Sequence, residues 1–380
     1  MRGPFTFVPP AVLGDRPHLV VDGAPRPGTV ATISHWPGTP TPGALIADLS
    51  AESAVLALAA PRALPRGIRT VTVDHADEDG VVAVGLLCVD GLAGAHGDLL
   101  VEAARVGDFG VVGDRRAALV AFTLAALLDP ARTPVEEVRS GVVGGMGAVG
   151  VLARHGVDCL PDVAKDVEAF EGLWAAEATA YDAAVAALSG GVVRLTEEPE
   201  RDLAVVEATS GTWPPAAAWA GHPLHPAAVN SATRCMRVAT VSPGDCRLLL
   251  RYETWVRLAR PQAPLRVDLS VVAAELDRRE GYVGGSAGGS RGAFGGSSGG
   301  TGGDGCQEPV SRGAEALGRH GAAGDRAVLS WRFDGAGALT PRLHHVGTGA
   351  SRIGPDEFLE VVRDGLDRLD QGAPAWDPYR

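Results

Sequence analysis

Short apolar runs alternate with amphipathic stretches over the first 130 residues of the chain. Residues 18–23, 29–35 and 69–73 are rich in β-branched side chains and end at turn residues, which predicts three short buried strands. Helical patterns lie between and after them, at residues 47–60, 81–87, 98–106 and 115–128. Asp48 or Ser50 is the expected cap of the first helix. Strands that alternate with helices predict an α/β N-terminal domain with a mainly parallel sheet over residues 1–130.

Residues 131–190 are predominantly helical in their pattern. Breaks are expected where glycine and proline cluster, at 144–150 and 156–161. Residues 162–188 are amphipathic and rich in alanine, which indicates a helical spine that joins two domains.

From residue 191 onwards the pattern is typical of antiparallel strands. Residues 192–196 and 203–207 flank a polar turn and predict a hairpin. Further elements are predicted at 248–256, 327–333 and 341–346 as strands, and at 355–369 as the last helix. We therefore expect an α+β C-terminal domain over residues 191–380. Within it, residues 284–305 are almost entirely Gly and Ser, which predicts a disordered insertion.

The composition limits the location and the partners of the protein. Of its 380 residues, 46% are hydrophobic and 21% are charged, as in ordinary globular proteins, and the net charge is −12. Such a chain lacks the basic face that a phosphate backbone requires, so duplex nucleic acid is not an expected partner. Prolines near the N-terminus disfavour a signal peptide, and no apolar run approaches a membrane span. We expect a cytoplasmic protein with no membrane partner, of open oligomeric state.

The strand at residues 69–73 leads into an acidic turn. Five ionisable residues lie in it ahead of Gly80: Asp74, His75, Asp77, Glu78 and Asp79. Groups this close repel one another unless a cation or a basic partner lies among them. His75, Asp77 and Asp79 alternate and offer one nitrogen and two carboxylates, which are ligand types for manganese, magnesium, iron or zinc. The alternative is a solvated acidic turn that Asp79 and Gly80 merely close.

Three further ionisable residues end predicted elements of the same domain. Asp22 ends the first strand, His35 ends the second, and Asp108 follows the helix at 98–106. The carboxyl ends of parallel strands meet at one edge of a sheet, where α/β proteins bind their ligands. Two histidines and four carboxylates at one edge predict a two-metal site, which suits hydrolysis by an activated water.

These segments resemble the motifs of the DHH phosphoesterase superfamily. Residues 75–80 (His-Ala-Asp-Glu-Asp-Gly) are similar to its first motif, and residues 19–23 (Leu-Val-Val-Asp-Gly) to its second. Residues 34–36 (Ser-His-Trp) are similar to the Asp-His-His motif, and residues 101–109, which contain Asp108, to the fourth motif. The order along this chain is second, third, first and fourth, which corresponds to a circular permutation of the superfamily's α/β domain.

The resemblance implies a ligand set, a cofactor and a reaction. It implies two groups of metal ligands: His75, Asp77 and Asp79 for one ion, and Asp22, His35 and Asp108 for the other, with Asp79 as the bridge. Mn²⁺ or Mg²⁺ would be the cofactor, and Asp79 and His35 would be the catalytic residues. The reaction would be hydrolysis of a phosphoester or phosphoanhydride in a small anionic substrate or a short nucleotide.

Two departures from the superfamily favour an alternative function. Trp36 stands where the superfamily has a second histidine that handles the substrate phosphate, and the Gly-rich substrate motif of its C-terminal domain is absent. A non-catalytic DHH-like descendant that binds a nucleotide or a partner protein is the alternative. Residues 34–38 and 251–256 are also similar to segments of an uncharacterised actinobacterial protein family, which implies no function.

A polar segment in the second half supplies candidate substrate contacts. His225, Asn230 and Arg234 precede a strand and would bind an anionic substrate if they reached across an interdomain cleft. A helix cap with ordinary surface contacts accounts for the same residues. Both interpretations stay open on the sequence.

Overall fold

A four-stranded parallel sheet forms the centre of the first half of the chain. The structure is a computed structural model that describes residues 4–259, 266–281, 331–335, 338–346 and 350–370. The elements of this half are β1 (Thr6–Phe7), α1 (Pro10–Leu13), β2 (His18–Val21), β3 (Thr29–Ile33), α2 (Ser50–Ala59), β4 (Thr70–Val73), α3 (Glu78–Cys88), α4 (Leu92–Phe109) and α5 (Arg115–Leu128). The strand order is β1-β4-β2-β3, and all neighbouring strands run parallel.

The ends of three strands lie side by side at one edge of this sheet. β2 is buried along its whole length, and β3 and β4 are buried over their last three residues. Sheets covered on both faces select continuous runs of β-branched residues, which is the pattern in the sequence. Val21 pairs with Ile33 on one side and with Val73 on the other. The residues that follow these three strands therefore emerge together.

Helix α3 lies in the middle of the packed helices and fixes the acidic turn. Its residues from Asp79 to Leu87 are buried, and it packs against α2, α4 and α7 (Gly147–Lys165). The helix begins at Glu78, earlier than its apolar pattern indicated, because the Asp77 side chain caps it by accepting a hydrogen bond of 2.9 Å from the Gly80 amide. The turn is thus held between a buried strand and a buried helix.

Two local predictions in the helices were wrong. Leu49, and neither Asp48 nor Ser50, occupies the N-cap position of α2, and no side chain caps the helix from there. Helix α7 runs without a break through residues 156–161. A Cβ atom at Gly156 would lie 2.9 Å from Val81 Cγ1, so glycine serves close helix packing at this position, where the sequence suggested a turn.

The helical spine consists of three helices. They are α6 (Glu136–Arg139), α7 and α8 (Glu171–Ser189). Helix α5 packs against both α7 and α8, so the spine belongs to the helical layer of the first half as well as leading to the second.

A six-stranded mixed sheet organises the second half. Its elements are β5 (Val193–Glu198), β6 (Leu203–Ala208), α9 (Pro226–Ala232), β7 (Arg237–Ser242), β8 (Asp245–Leu250), α10 (Ser270–Glu280), β9 (Trp331–Phe333), β10 (Arg342–His345) and α11 (Pro355–Leu369). The order is β5-β6-β7-β8-β10-β9, in which only the β6–β7 pair is parallel among the described strands. The predicted hairpin, the β9–β10 pair and the last helix are confirmed. The chain therefore combines an α/β region that has a parallel sheet with a second, mixed sheet.

The strand predicted at 248–256 ends early, at Leu250. Residues Tyr252–Thr254 form a short 3₁₀ helix instead, and the following residues cross to the first half. Val256 is buried in the first core, and the Arg257 amide donates a hydrogen bond of 2.7 Å to the carbonyl oxygen of His35. The Ala259 amide donates one of 2.7 Å to Asp48 Oδ1. Residues 252–259 thus tie the two halves together beside the ends of the parallel strands.

Two further points concern the limits of the described chain. The predicted insertion at 284–305 lies outside the described residues. Within the described residues, none of the helices combines the length and the apolarity that a membrane crossing requires.

Candidate metal centre

The six predicted ligands lie at the edge of the parallel sheet where the strands end. Their positions are as follows: Asp22 after β2, His35 after β3, His75 and Asp77 after β4, Asp79 in the first turn of α3, and Asp108 in the last turn of α4. Five of them form two groups of three that share Asp22, one buried (Asp22, His35 and Asp79) and one partly open to solvent (Asp22, His75 and Asp77), and Asp108 lies beside the buried group.

The inner group surrounds His35. Its Nε2 atom lies 3.5 Å from Asp22 Oδ1, 3.9 Å from Asp79 Oδ2 and 3.4 Å from Asp108 Oδ2. All four residues are buried. Three carboxylates therefore converge on one imidazole in a region from which water is largely excluded.

The orientation of His35 is fixed by the backbone. Its Nδ1 atom lies 2.6 Å from the carbonyl oxygen of Asp48, so the Nδ1–H group donates to that oxygen. Nε2 is buried and has no hydrogen-bond partner in the described part of the chain, although buried polar atoms are nearly always bonded. A histidine that donates one ring N–H to a carbonyl and directs the other nitrogen at carboxylates has the arrangement of a metal ligand.

The outer group surrounds His75. Its Nε2 atom lies 2.8 Å from Asp77 Oδ2 and 3.4 Å from Asp22 Oδ2. The side chains of His75 and Asp77 are 22% and 31% exposed, whereas those of the inner group are almost inaccessible. Solvent and solutes therefore reach the centre from the outer side.

Asp22 is the carboxylate that both groups share. Its Oδ1 atom faces His35 and also accepts a hydrogen bond of 2.8 Å from the Ser50 hydroxyl, while Oδ2 faces His75. The backbone of Asp22 is left-handed, with φ at 47°, a conformation that costs energy for a residue other than glycine. Strained backbone of this kind is concentrated at functional sites.

The geometry changes the bridging residue that the resemblance implied. Both oxygens of Asp79 accept hydrogen bonds from the first amides of α2, at 2.7 Å from Ser50 and 2.8 Å from Ala51. Asp79 belongs to the inner group alone, and Asp22 occupies the shared position. The N-terminus of α2 therefore needs no side-chain cap of its own, because the Asp79 carboxylate on α3 binds its first amides and neutralises its partial positive charge.

Charges within the centre shift the pKa of its members. Burial lowers the pKa of His35, but the contact with Asp22 and the charges of Asp79 and Asp22 outweigh it and raise the pKa to about 9. Burial lowers the pKa of His75 as well, but the negative charge of Asp77 and its hydrogen bond to the imidazole outweigh burial and raise the pKa to about 10. Burial and the charge of Asp22 raise the pKa of Asp79 to about 7. Without a metal, protons on the histidines offset part of the carboxylate charge.

The donor set fits divalent cations. In each group the ligand atoms lie within 4.8 Å of one another. Donor atoms that share one ion at bond lengths of roughly 2.1 Å are separated by roughly 3–4 Å, which is close to this spacing. Mixed carboxylate and imidazole ligands suit manganese, iron or zinc, and a set rich in carboxylates suits magnesium and manganese best.

Comparison with known proteins gives a family and no function. Residues 3–372 match the model of a family of unknown function, DUF6687. The chain belongs to that family. No curated protein and no solved structure matches it.

Two residues of this DUF6687 centre have a role that the sequence did not indicate. The Ser34 hydroxyl accepts a hydrogen bond of 3.1 Å from the Gly23 amide, and Asp74 Oδ2 accepts one of 2.6 Å from the Ala24 amide. Together they hold the turn that follows Asp22. The sequence placed Asp74 in the acidic turn and Ser34 in residues 34–36, but it did not indicate these hydrogen bonds.

Aromatic rings cover the centre from both halves of the chain. Tyr252 meets His35 edge-on, with ring centroids 5.9 Å apart, and Phe109 lies 6.3 Å from the same imidazole. Burial and the charges of nearby aspartates, Asp108 first among them, raise the pKa of Tyr252 well above its usual value, so its hydroxyl stays neutral. Sequence reasoning placed Tyr252 on a strand and missed this contact, because 217 residues separate the two rings along the chain.

The predicted substrate contacts have other roles in the structure. His225 is buried between the rings of Phe122, Tyr181 and Trp219, and its Nδ1 accepts a hydrogen bond of 3.2 Å from the Ala227 amide at the start of α9. That contact is the helix cap that the alternative interpretation required.

The other two candidates of that segment differ from each other. The Asn230 amide group donates a hydrogen bond of 3.0 Å to the carbonyl oxygen of Phe109, next to Asp108. Arg234 is exposed, and its backbone amide donates to Glu197. Asn230 therefore joins the two halves near the centre, whereas Arg234 lies at the surface.

A surface cleft of about 390 Å³ is lined by other residues, at positions 218–223 with Asp245 and Arg247. None of the six candidate ligands lines it. The candidate centre is compact, since the candidate ligand atoms of each group lie within 4.8 Å of one another.

Proposed function

We propose that the centre binds two divalent cations, Mn²⁺ or Mg²⁺, and that the protein hydrolyses a phosphoester or phosphoanhydride. The observation that carries this proposal is the position of Asp22, which is shared between two groups of ligand atoms that each converge within 4.8 Å. Carboxylates shared in this way are what a two-metal site requires.

The residues of the centre would have different roles in such a hydrolase. Ser50 and the amides of α2 orient Asp22 and Asp79 before any ion binds, because both carboxylates are already hydrogen-bonded in the protein. His75 and Asp77 form the exposed side, where a substrate arrives. Two bound cations would clamp the oxygens of an in-line displacement and lower the pKa of a bound water.

The resemblance to DHH phosphoesterases enters the proposal as support for this reaction. The permuted order of the motifs is compatible with the parallel sheet, because every candidate ligand follows a strand or lies at the end of a helix that faces the strand ends. A small anionic substrate or short nucleotide is the expected class, since the chain carries a net charge of −12 and a long polyanion would be repelled.

A phosphatase assay tests the proposal. Metal-stripped protein receives Mn²⁺ and either 4-nitrophenyl phosphate or bis(4-nitrophenyl) phosphate, and the release of nitrophenolate is followed by absorbance. We expect activity that requires the metal and falls by at least about 100-fold in Asp79→Asn, which retains the shape of the side chain and loses its charge. The matched control is Glu198→Gln, in the mixed sheet. A wild-type protein that binds no Mn²⁺ would refute the proposal.

Trp36 supports a second candidate function. An indole cannot exchange protons with a phosphate in the way that the second histidine of the DHH motif does, and Trp36 packs 5.4 Å from the ring of His75. This substitution therefore favours a non-catalytic centre, which would bind metals together with a nucleotide or a partner protein and would hydrolyse neither. Tight Mn²⁺ binding with no hydrolysis of either ester would favour it.

A further inference from the structure

We propose that the mouth of the centre recognises an anionic ester whose organic group is a flat aromatic ring, as in an aryl or nucleoside phosphate. The ring would lie against Trp36 and Trp255, and Arg257 would pair with the anionic group. This inference rests on the proposed function and names the substrate class of the same site.

The first observation is a continuous set of rings on the exposed side. Trp36 lies 5.4 Å from His75 at an interplanar angle of 32°, and 5.1 Å from Trp255 at 81°. Trp255 in turn stacks on Tyr252 at 5.7 Å. Trp36 and Trp255 remain partly exposed. An organic group that approaches the exposed ligand His75 therefore meets indole surface first.

The second observation is an unsatisfied donor at the same place. The Nε1 atom of Trp36 is buried and has no hydrogen-bond partner among the described residues. Buried indole N–H groups normally find a partner, because leaving the donor unpaired costs free energy. A ligand that carries an acceptor oxygen beside its ring would supply that partner.

The third observation concerns Arg257. Its backbone amide donates to the carbonyl oxygen of the ligand residue His35 at 2.7 Å, so the residue is anchored beside the centre. Its side chain is half-buried and has no ion pair or hydrogen bond to any described residue. Many other arginines of the second half hold carboxylates, as Arg251 holds Glu253. A guanidinium that holds no carboxylate among the described residues, on a residue anchored by its backbone next to His35, suits a phosphate, whose oxygens match its planar fork.

These features favour a ring over an aliphatic group for a physical reason. Aromatic side chains stack on any flat π-system, and an aliphatic chain of the same size offers no such face. Stacking on a protein aromatic changes affinity by about tenfold or more. The preference between two phosphates that differ only in their organic group therefore isolates the contribution of the rings.

The test compares phenyl phosphate with glycerol 3-phosphate by calorimetric titration of the full-length protein loaded with Mn²⁺. We expect phenyl phosphate to bind at least about tenfold more tightly. Trp36→Leu should abolish the difference between the two ligands, and Trp36→Phe should retain most of it. Arg257→Met should weaken both ligands to the same degree, whereas Arg332→Met, which alters an exposed arginine on β9, should weaken neither.

Three results would overturn the inference: equal binding of both phosphates by the wild type, a preference unchanged in Trp36→Leu, or an Arg257→Met protein that binds as the wild type does. Thermal unfolding of each variant shows whether it is folded. If Trp36→Leu does not fold, Trp255→Leu, which removes the second indole, should reduce the preference, and an unchanged preference in that variant would overturn the inference. A separate Mn²⁺ titration distinguishes failure of the proposed function. If no metal binds, the same ligand titrations on metal-free protein still measure the ring preference, because the indoles do not depend on the cation.

Discussion

Carboxylates are neutralised in different ways at the strand ends of the first half and in the second half of the molecule. In the second half they meet arginines: Glu198 pairs with Arg363 and Arg201, Asp370 with Arg237, and Glu253 with Arg251. At the strand ends of the first half, the ion pairs of Asp22, Asp77, Asp79 and Asp108 are made with two histidines. Burial makes the charge of Glu253 costly in the second half, as it does for Asp22 and Asp79 in the first, whereas the Asp370 side chain is 39% exposed.

The type of basic partner distinguishes acids that stabilise the fold, which pair with arginine, from acids that are available to a ligand, which pair with histidine. An arginine stays charged at any physiological pH, so its ion pairs are permanent parts of the fold. A histidine holds its proton only until something binds more strongly, and a neutral imidazole is itself a metal ligand. The centre thus contains carboxylates whose partner can be exchanged.

The largest expected effect is a loss of stability when a buried arginine that pairs with a carboxylate is replaced. Arg251→Met should lower the free energy of unfolding by about 3–5 kcal/mol, because it leaves Glu253 charged and buried without its partner. Arg251 and Glu253 are only 3% and 6% exposed, and Arg251 also donates to the carbonyl oxygens of Asn230 and Thr233. Urea unfolding measures the change. The exposed Arg194→Met should change stability by less than about 0.5 kcal/mol, and a similar small effect in Arg251→Met would contradict the comparison.

The next effect is on the histidine side. Asp22→Asn should reduce the affinity for Mn²⁺ at least about 100-fold, because it removes the charge shared by both groups while asparagine accepts the left-handed backbone. The metal-free variant should differ little from the wild type in stability, because relief of the repulsion with Asp79 is offset by lost attraction to the protonated His35 and His75. Calorimetric titration gives the affinity and thermal unfolding the stability.

Asp22→Asn has a matched control on the arginine side. Glu198→Gln removes a charge from an arginine pair and should leave Mn²⁺ binding unchanged. In the wild type, Mn²⁺ at 100 times its dissociation constant should add about 2.7 kcal/mol of stability, which a chelator reverses. Equal Mn²⁺ affinity in Asp22→Asn and wild type would remove Asp22 from the shared position.

A smaller effect concerns the turn that holds Asp22. A Cβ atom added at Gly23 would lie 2.5 Å from Asp74 Oδ2, and that oxygen cannot turn away without losing its hydrogen bond to the Ala24 amide. Gly23→Ala should therefore destabilise the protein by about 1–3 kcal/mol and weaken metal binding with it. The control is Gly97→Ala in helix α4, where nothing lies within 4 Å of the added atom and a small gain in stability is expected. Urea unfolding that ranks the two variants in the opposite order would refute the packing argument.

The smallest effect is the dependence on pH. The pKa values of His35 and His75 are raised to about 9 and about 10, so at neutral pH each must lose a proton before it can bind a metal. Mn²⁺ affinity should rise between pH 6 and 8 by up to about tenfold per pH unit for each displaced proton. Without metal, the stability that the two protonated histidines contribute is fully present below pH 6.5 and is lost as the pH rises through 9 to 10. An affinity that is constant across this range would show that no proton is displaced.

The sequence was sufficient to predict that the ligands meet at one edge of a sheet. The rule that parallel strands end at the same edge brought Asp22, His35 and Asp77 together from separate segments. Asp108 was harder, because it lies in the last turn of α4 and only the length of that helix brings it to the edge. Local pattern and general topology therefore predicted the positions of the ligands.

The relations between distant side chains could not be predicted. Nothing in residues 45–60 shows that the amides of α2 bind Asp79, and this contact decides that Asp22 takes the shared position. The break expected at Gly156 failed for the same kind of reason, because the glycine is needed by a neighbouring helix. Tyr252 and Trp255 reach the centre through a chain crossing that no local pattern indicates.

The hydrogen bonds of Ser50 and α2 also have a consequence for the order of folding and of the proposed metal binding. In small zinc domains the ion drives folding, because the ligands are scattered until it binds. Here Asp22 and Asp79 are already held in place by the chain itself. If the centre binds cations as proposed, folding would come first and metal binding second, so the ions could leave and return without unfolding of the protein.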